Sequence, residues 1–199
     1  MAPPPDDRTA PWSDGCRVLV AGRSGSGKTT LAARLATLLA VPHVELDALH
    51  HGPAWTPRPE FLADVDRLTA SGAWVAEWQY AAARPLLAAR ADVLVWLDLS
   101  FPLTLARLVR RTVRRRVRRE VLWNGNVEPP LRTIWTDPEH VVRYMVTHRH
   151  KFHELVPAAL AAHPRLRLVR LRSPREVERW LAEEAPRLTA RPGHPRGAS

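Results

Sequence analysis

The chain has 199 residues, 45% of them hydrophobic, which suits one domain with a real core and would cramp two. Its 30 lysines and arginines against 20 acids leave a net charge of +10, favouring polyanionic partners such as nucleotides, nucleic acid or phosphorylated metabolites without choosing among them. One cysteine excludes an internal disulfide, no Cys/His cluster has zinc spacing, and no apolar run approaches the ~20 residues that span a bilayer, so a protein of the reducing cytoplasm is expected.

Residues 1–15, "MAPPPDDRTAPWSDG", lack the basic start and apolar centre of a signal peptide and read as a flexible tail. "RVLVAG" (17–22) then reads as a strand, and 28–40 as a helix with Leu31, Leu35, Leu38 and Leu39 on one face. Between them, Gly22-Arg23-Ser24-Gly25-Ser26-Gly27-Lys28-Thr29 satisfies G-x-x-x-x-G-K-[ST] in the strand-to-helix context that the motif demands. Glycines let such a loop turn its amides inward, where they and the helix N-terminus meet phosphate oxygens. Gly22, Ser24, Gly25, Ser26, Gly27, Lys28, Thr29 and Thr30 are therefore the expected ATP-binding residues. Lys28 reaches the outer phosphates, and the Thr29 hydroxyl holds Mg²⁺.

The remaining strands are expected at "HVELD" (43–47), "AWVAEW" (73–78), "DVLVWLDL" (92–99) and "LRLVRL" (166–171). Helical patterns separate them. Residues 59–70 place Phe61, Leu62, Val65 and Leu68 at period 3.6, 82–91 follow, and 102–120 carry Leu105, Leu108, Val109, Thr112, Val113 and Val117 along one stripe. Asp137 can cap a helix through Lys151, and Ser173-Pro174 fits the N-cap and first position of a last helix through Glu184. Residues 186–199 read as a second tail. Alternating strands and helices, with runs such as "VLVWL" apolar on both faces, imply one three-layer α/β domain over 16–185. Its parallel sheet is covered by helices on each side, and ligands belong at the carboxyl ends of the strands.

A phosphate loop alone does not separate ATPase, GTPase and kinase. No Asn-Lys-x-Asp guanine reader is present, and no second nucleotide signature of a large motor. With the loop, "HVELDALH", "WVAEWQY", "DVLVWLDLS" and the arginine-rich segment after it, the chain from about Arg17 to Lys151 resembles the topology-modulation proteins of the adenylate-kinase-like P-loop group. The resemblance implies a five-stranded sheet of order 2-3-1-4-5 and a kinase-like site for ATP and Mg²⁺ beneath a short arginine-rich lid, here about 110–136. Leu46-Asp47-Ala48-Leu49 with "HHGPAW" is close to that family's Leu-Asp-x-Leu-x-Trp-x-Pro. Glu77-Trp78-Gln79-Tyr80 stands where its members carry Asp-Gly-Asn-Tyr, so Trp78 either narrows the acceptor pocket or offers a stacking surface.

Three acids sit at expected strand ends: Asp47, Glu77 and Asp98. Asp98 after "VLVWL" has the local pattern of a magnesium acid, but in the resembled sheet order the third strand lies beside the loop strand, which favours Glu77. Asp47 is the candidate for orienting or deprotonating an acceptor hydroxyl, with Trp78, Tyr80 and Arg84 beside it. Arg107 and Arg111 lie one helical turn apart. In the resembled kinases such a pair packs one guanidinium on the adenine and sends the other to the transferring phosphoryl, tasks that suit a planar, permanent cation. The leading expectation is a small kinase using ATP and a nucleotide-like or other small acceptor. The alternatives are a nucleic-acid-associated ATPase gripping phosphates through Arg110 to Arg119, and an ATP-binding regulator without turnover.

Overall fold

The computed structural model describes residues 16–70, 72–126, 129–130, 132–133, 137 and 140–189. The expected N-terminal tail, the expected C-terminal tail from 190 onward and part of the expected lid lie outside these. Five parallel strands, β1 (Arg17–Gly22), β2 (His43–Val44), β3 (Trp74–Glu77), β4 (Val93–Leu97) and β5 (Arg167–Leu171), form one sheet of order β2-β3-β1-β4-β5. This is the expected three-layer P-loop fold.

Side chains alternate across the sheet, so the central strands are apolar on both faces. Val18, Val20, Val93 and Val95 pack on one face with Leu31 and Leu35 of α1 (Lys28–Leu39) and Trp180 of the last helix, Pro174–Glu183. Leu19, Ala21, Leu94 and Trp96 pack on the other with Leu87 of the helix Arg84–Arg90 and Val156 of the helix Lys151–Ala162. Leu35 is fully buried, and its truncation to alanine removes about 2–5 kcal/mol of core.

Several elements depart from the sequence reading. The second strand pairs over His43–Val44 alone, after which the chain turns into α2 (Leu46–His50), so Asp47 lies in the first turn of a helix rather than at a strand end. In α3 (Phe61–Thr69) the buried positions are Phe61, Asp64, Val65 and Thr69, and Leu62 and Leu68 are exposed. Asp64 is tolerated there because Arg58 and Arg67 pair with it at 3.1 and 2.7 Å. After α4 (Arg84–Arg90) comes α5 (Phe101–Arg118), which buries only Thr104, Leu108 and Thr112, while Val109, Val113 and Val117 face outward. Threonines and a leucine make its buried stripe because it lies directly against the phosphate loop.

The expected helix 137–151 is shorter, and a second helix that the sequence reading did not include follows it. The first, α6 (Val141–Thr147), is capped by His140, whose Nδ1 accepts from the Val142 amide at 3.3 Å, rather than by Asp137. The second, α7 (Lys151–Ala162), carries Pro157 in its interior, a residue that reads as a breaker, and is held by burial of Val156 and Ala159. In α8 (Pro174–Glu183) the Ser173 hydroxyl accepts from the Glu176 amide at 3.2 Å, while Glu176 Oε2 accepts from the Arg172 amide at 2.8 Å. Ser173 is the N-cap and Pro174 the first helical residue, as expected. A further turn, Ala185–Thr189, packs Ala185 and Leu188 against the α1 side of the core, so the ordered chain continues past 185. No helix among the described residues is long and apolar enough to cross a membrane.

Candidate nucleotide and acceptor site

The phosphate loop leaves β1 between the two strands that flank it and ends at Gly27, the left-handed N-cap of α1. No side chain caps α1, and no acid occupies its first turn. Its first amides therefore have no intrahelical partner, and the positive end of its dipole is uncompensated, which suits an oligophosphate. The loop is braced by Arg23, whose guanidinium donates to the Leu99 carbonyl, donates to the Arg149 carbonyl at 3.0 Å, and lies over the Phe101 ring. Arg23, a variable position of the motif, thus ties the loop to α5 and to the segment before α7. Nothing in the sequence marked that role.

Gly25 approaches α5 so closely that a Cβ there would sit 2.2 Å from the Thr104 carbonyl oxygen. This contact seats α5 against the loop and brings Arg107 to a groove of about 350 Å³. Thr30, Leu31, Arg34, Arg107, Pro174 and Val177 are among its lining residues. The groove continues from the loop and is large enough for a nucleoside. Arg111 follows one turn along the same helix and is half-buried.

Glu77 closes β3 directly beside β1, in register with Val20. It is 0% exposed, and neither carboxylate oxygen has a hydrogen-bond partner of ordinary geometry among the described residues. Burial pushes its carboxyl above the usual value, Lys28 opposes that, Asp47 adds to it, and the nearby Thr29 hydroxyl also favours the charged form. A buried acid without hydrogen bonds, next to Lys28 and Thr29, fits a magnesium ion. Mg²⁺ takes few protein ligands beside water and phosphate oxygens, and among the described residues no cluster of three or more His, Cys, Asp or Glu could enclose a metal. Asp98 is committed elsewhere: Arg170 pairs with it at 2.6 Å and His153 lies 3.4 Å away.

The raised Glu77 value has a consequence for stability. The folded state holds this proton more tightly than the unfolded chain, so the group's stabilising contribution is complete in acid and is lost as pH rises through the raised value. Glu77→Gln abolishes that loss. Without metal or nucleotide, the variant should gain stability relative to wild type as pH rises from about 4 to 8, read by urea melts, while magnesium-dependent turnover falls about a hundredfold. A stability difference that stays constant over that range contradicts the assignment.

On the far side of the loop, Asp47 Oδ1 accepts from the Tyr80 hydroxyl at 2.6 Å and from Gln79 Nε2 at 2.7 Å. The Tyr80 oxygen is also 2.9 Å from His51 Nε2, and its ring stacks on His50 at 4.0 Å. Burial and the neighbouring Asp47 push the Tyr80 hydroxyl far up, so it stays protonated and donates. Burial and His51 push His50 down, so it stacks as a neutral ring. Tyr80 holds a left-handed φ of 60°, a conformation that costs a non-glycine residue about 1–2 kcal/mol. The network around its ring and hydroxyl maintains it.

Two turns of like geometry meet over this network. Ala54, in Pro53–Trp55, and Asn124, in Trp123–Gly125, both take left-handed dihedrals. Asn126 Oδ1 accepts from the Trp55 amide at 3.0 Å, Asn126 Nδ2 donates to the Gly52 carbonyl at 2.9 Å, and Asn124 Nδ2 donates to the His51 carbonyl. Trp123 Nε1 donates to Glu45 at 3.0 Å. The segment "LWNGN" is therefore a turn, and its asparagines lock the end of the arginine helix to the loop after α2.

Among the sequence candidates, the structure brings Lys28, Thr29 and Glu77 together and puts Arg107 on the adjoining groove. Asp47 and Tyr80 form one hydrogen-bonded unit. Trp78 is different: it is 3% exposed, packs toward Phe152, and spends its indole N–H on the Arg84 carbonyl. It is core rather than a stacking surface, because its own backbone amide bonds to Val20 at 2.8 Å and turns the side chain under the sheet edge. Sequence reasoning missed Tyr144, which no local pattern marks.

No protein-family model matches the chain, and no curated protein matches it. Among solved structures it is similar to a gluconokinase from Sinorhizobium meliloti 1021, with 22% identity over 85% of this chain and 93% of that one and a TM-score of 0.42. It is also similar to a sugar kinase from Janibacter sp. HTCC2649, with 20% identity, coverage of 89% and 99% and a TM-score of 0.44. A shikimate kinase from Bacteroides thetaiotaomicron shares 15% identity over 84% and 94%, with a TM-score of 0.43.

Proposed function

We propose that the chain is a small magnesium-dependent kinase that moves the γ-phosphoryl group of ATP to a hydroxyl of a small acceptor. One observation carries this reading. The arginine helix rests on the phosphate loop at Gly25, and the turn that follows it is bonded through Asn126 to Gly52 and Trp55 in the loop after α2, which supports one cover over donor and acceptor compartments. The motif resemblance to the topology-modulation proteins supports the same reading.

In this assignment the loop amides and Lys28 hold the phosphates, and the base occupies the groove beside Arg107. Thr29 and Glu77 would hold a magnesium ion. Bound there, it would supply charge neutralisation for the transferring phosphates. Asp47, with Oδ1 already holding Tyr80 and Gln79, orients the acceptor hydroxyl and takes its proton at Oδ2. The acceptor oxygen forms a bond to the γ-phosphorus as the bond to the β-bridging oxygen breaks, and ADP leaves. Arg111 stabilises negative charge on the phosphoryl oxygens in flight. The arginine helix is assigned to this site because Thr104 and Leu108 seat it against Gly25 of the loop.

The test is a screen of small hydroxyl acceptors for label transferred from γ-labelled ATP, run beside Lys28→Ala. Transfer that the substitution removes supports the reading. ATP hydrolysis that no acceptor stimulates, yet that Lys28→Ala removes, overturns it. Arg107→Ala has a separate signature: we expect KM for ATP to rise about tenfold, or about 1.4 kcal/mol, with a smaller change in kcat, as steady-state kinetics will report.

A further inference from the structure

Arg84 heads α4 and is half-buried, and among the described residues no carboxylate pairs with it and its guanidinium makes no hydrogen bond. Burial lowers its pKa, and Tyr144 is the group that opposes this. Lys151 Nζ donates to the Tyr144 hydroxyl and lies 5.1 Å from the centre of that ring. It too has no carboxylate partner among the described residues.

Three contacts place the segments that carry these residues. Trp78, the residue after β3, donates its indole N–H to the Arg84 carbonyl at 3.2 Å and packs 6.3 Å from Phe152, the neighbour of Lys151. Arg23 in the phosphate loop donates to Arg149 at 3.0 Å. The cluster therefore lies at the carboxyl ends of β3 and β1, where ligands of this fold bind. A cation over a phenol accounts for Lys151 and contributes about 0.5–1 kcal/mol. It does not account for a half-dehydrated guanidinium with no partner, which is costly to maintain. Because Tyr144 accepts from Lys151, its own hydroxyl proton remains available as a donor.

We propose that Arg84, Lys151 and Tyr144 form a subsite for an anionic group that the acceptor already carries, and that this group is a phosphate monoester. The inference rests on the kinase reading above. Two cations and a phenol donor, with no acid among them, match a dianion with three acceptor oxygens better than a singly charged carboxylate. The product of the reaction then carries phosphorus at two positions.

The probe is inorganic phosphate, titrated calorimetrically into protein whose loop is already filled with magnesium and a non-hydrolysable ATP analogue. Wild type should bind phosphate, and Arg84→Gln and Lys151→Gln should each weaken it about tenfold or more while leaving affinity for the analogue unchanged. The two substitutions lie on different helices, so misfolding of one, visible in thermal melts, leaves the other as the test. Absence of phosphate binding, or binding that both variants retain, overturns the subsite. Acetate binding more tightly than phosphate overturns the phosphate assignment in favour of a carboxylate. The kinase reading fails separately, when phosphate binds as expected but no acceptor, phosphorylated or not, takes up label. The subsite fails alone when a neutral acceptor is phosphorylated with a KM that Arg84→Gln does not change.

Discussion

Lys28→Ala should keep its fold and lose about a thousandfold in ATP turnover, or about 4 kcal/mol of transition-state stabilisation. Lys28 lies in the first turn of α1, only partly buried, and contributes no hydrophobic contact to the core, so its loss leaves the packing of Leu31 and Leu35 intact. What disappears is the positive charge over the outer phosphates, the one charge in the loop that also offsets Glu77. Two measurements separate these effects. Thermal melts should be close to those of wild type, while single-turnover transfer should fall nearly to background. A variant that loses only tenfold in turnover would remove Lys28 from the phosphoryl-transfer step. In the nucleotide-free variant Glu77 loses its nearest cation, so its carboxyl should rise further, and the pH dependence of stability should steepen relative to wild type.

Gly25→Ala should be the most damaging single-methyl change in the chain. Its φ of +78° is a left-handed one that alanine adopts at a cost, and the added carbon meets the Thr104 carbonyl oxygen at 2.2 Å and the Leu108 amide at 3.0 Å. Both contacts are backbone, so no side chain can swing away, and the helix or the loop must move. Adding the backbone cost to overpacking gives a loss of about 2–4 kcal/mol, measurable by urea unfolding. Because the same contact carries Arg107 to its groove, affinity for ATP should fall about a hundredfold in parallel. Gly72→Ala is the control: its φ is also positive, at +64°, but nothing lies within 4 Å of the added carbon. It should cost about 1 kcal/mol and leave ATP affinity untouched. Equal effects of the two substitutions would refute the docking of α5 as the source of the site's geometry.

The parts of the molecule that rest on neighbouring residues were legible in the sequence. The phosphate loop, α1, the Ser173-Pro174 helix start, and the apolar runs of β1 and β4 each follow from spacing within a few positions. Even the preference for Glu77 over Asp98 needed only a strand order carried by the motif resemblance, which the sheet then matched. Periodicity failed on α5 because a stripe of valines at helical spacing is apolar whether or not anything covers it. The sequence could not show that the helix meets the loop at Thr104 and Leu108.

Other features depended wholly on long-range packing. Trp78 follows Glu77 directly, yet the choice between pocket wall and core was made by Phe152, more than seventy positions away. The turn at Asn126 closes on Trp55 across a separation of 71 residues, and neither segment alone carries a signal for the other. Likewise, Arg84 was expected beside Asp47, but no local pattern tied it to Tyr144 or Lys151. Lys151 meets Tyr144, and the head of α4 comes near them through Trp78 and Phe152, only because α6 and α7 fold back over the end of β3. The sequence by itself determined that the chain grips phosphate and on which strand and helix, because that chemistry is written in eight adjacent residues. Only the tertiary structure decided what stands opposite the grip, because an acceptor site is assembled from side chains whose proximity no local pattern encodes.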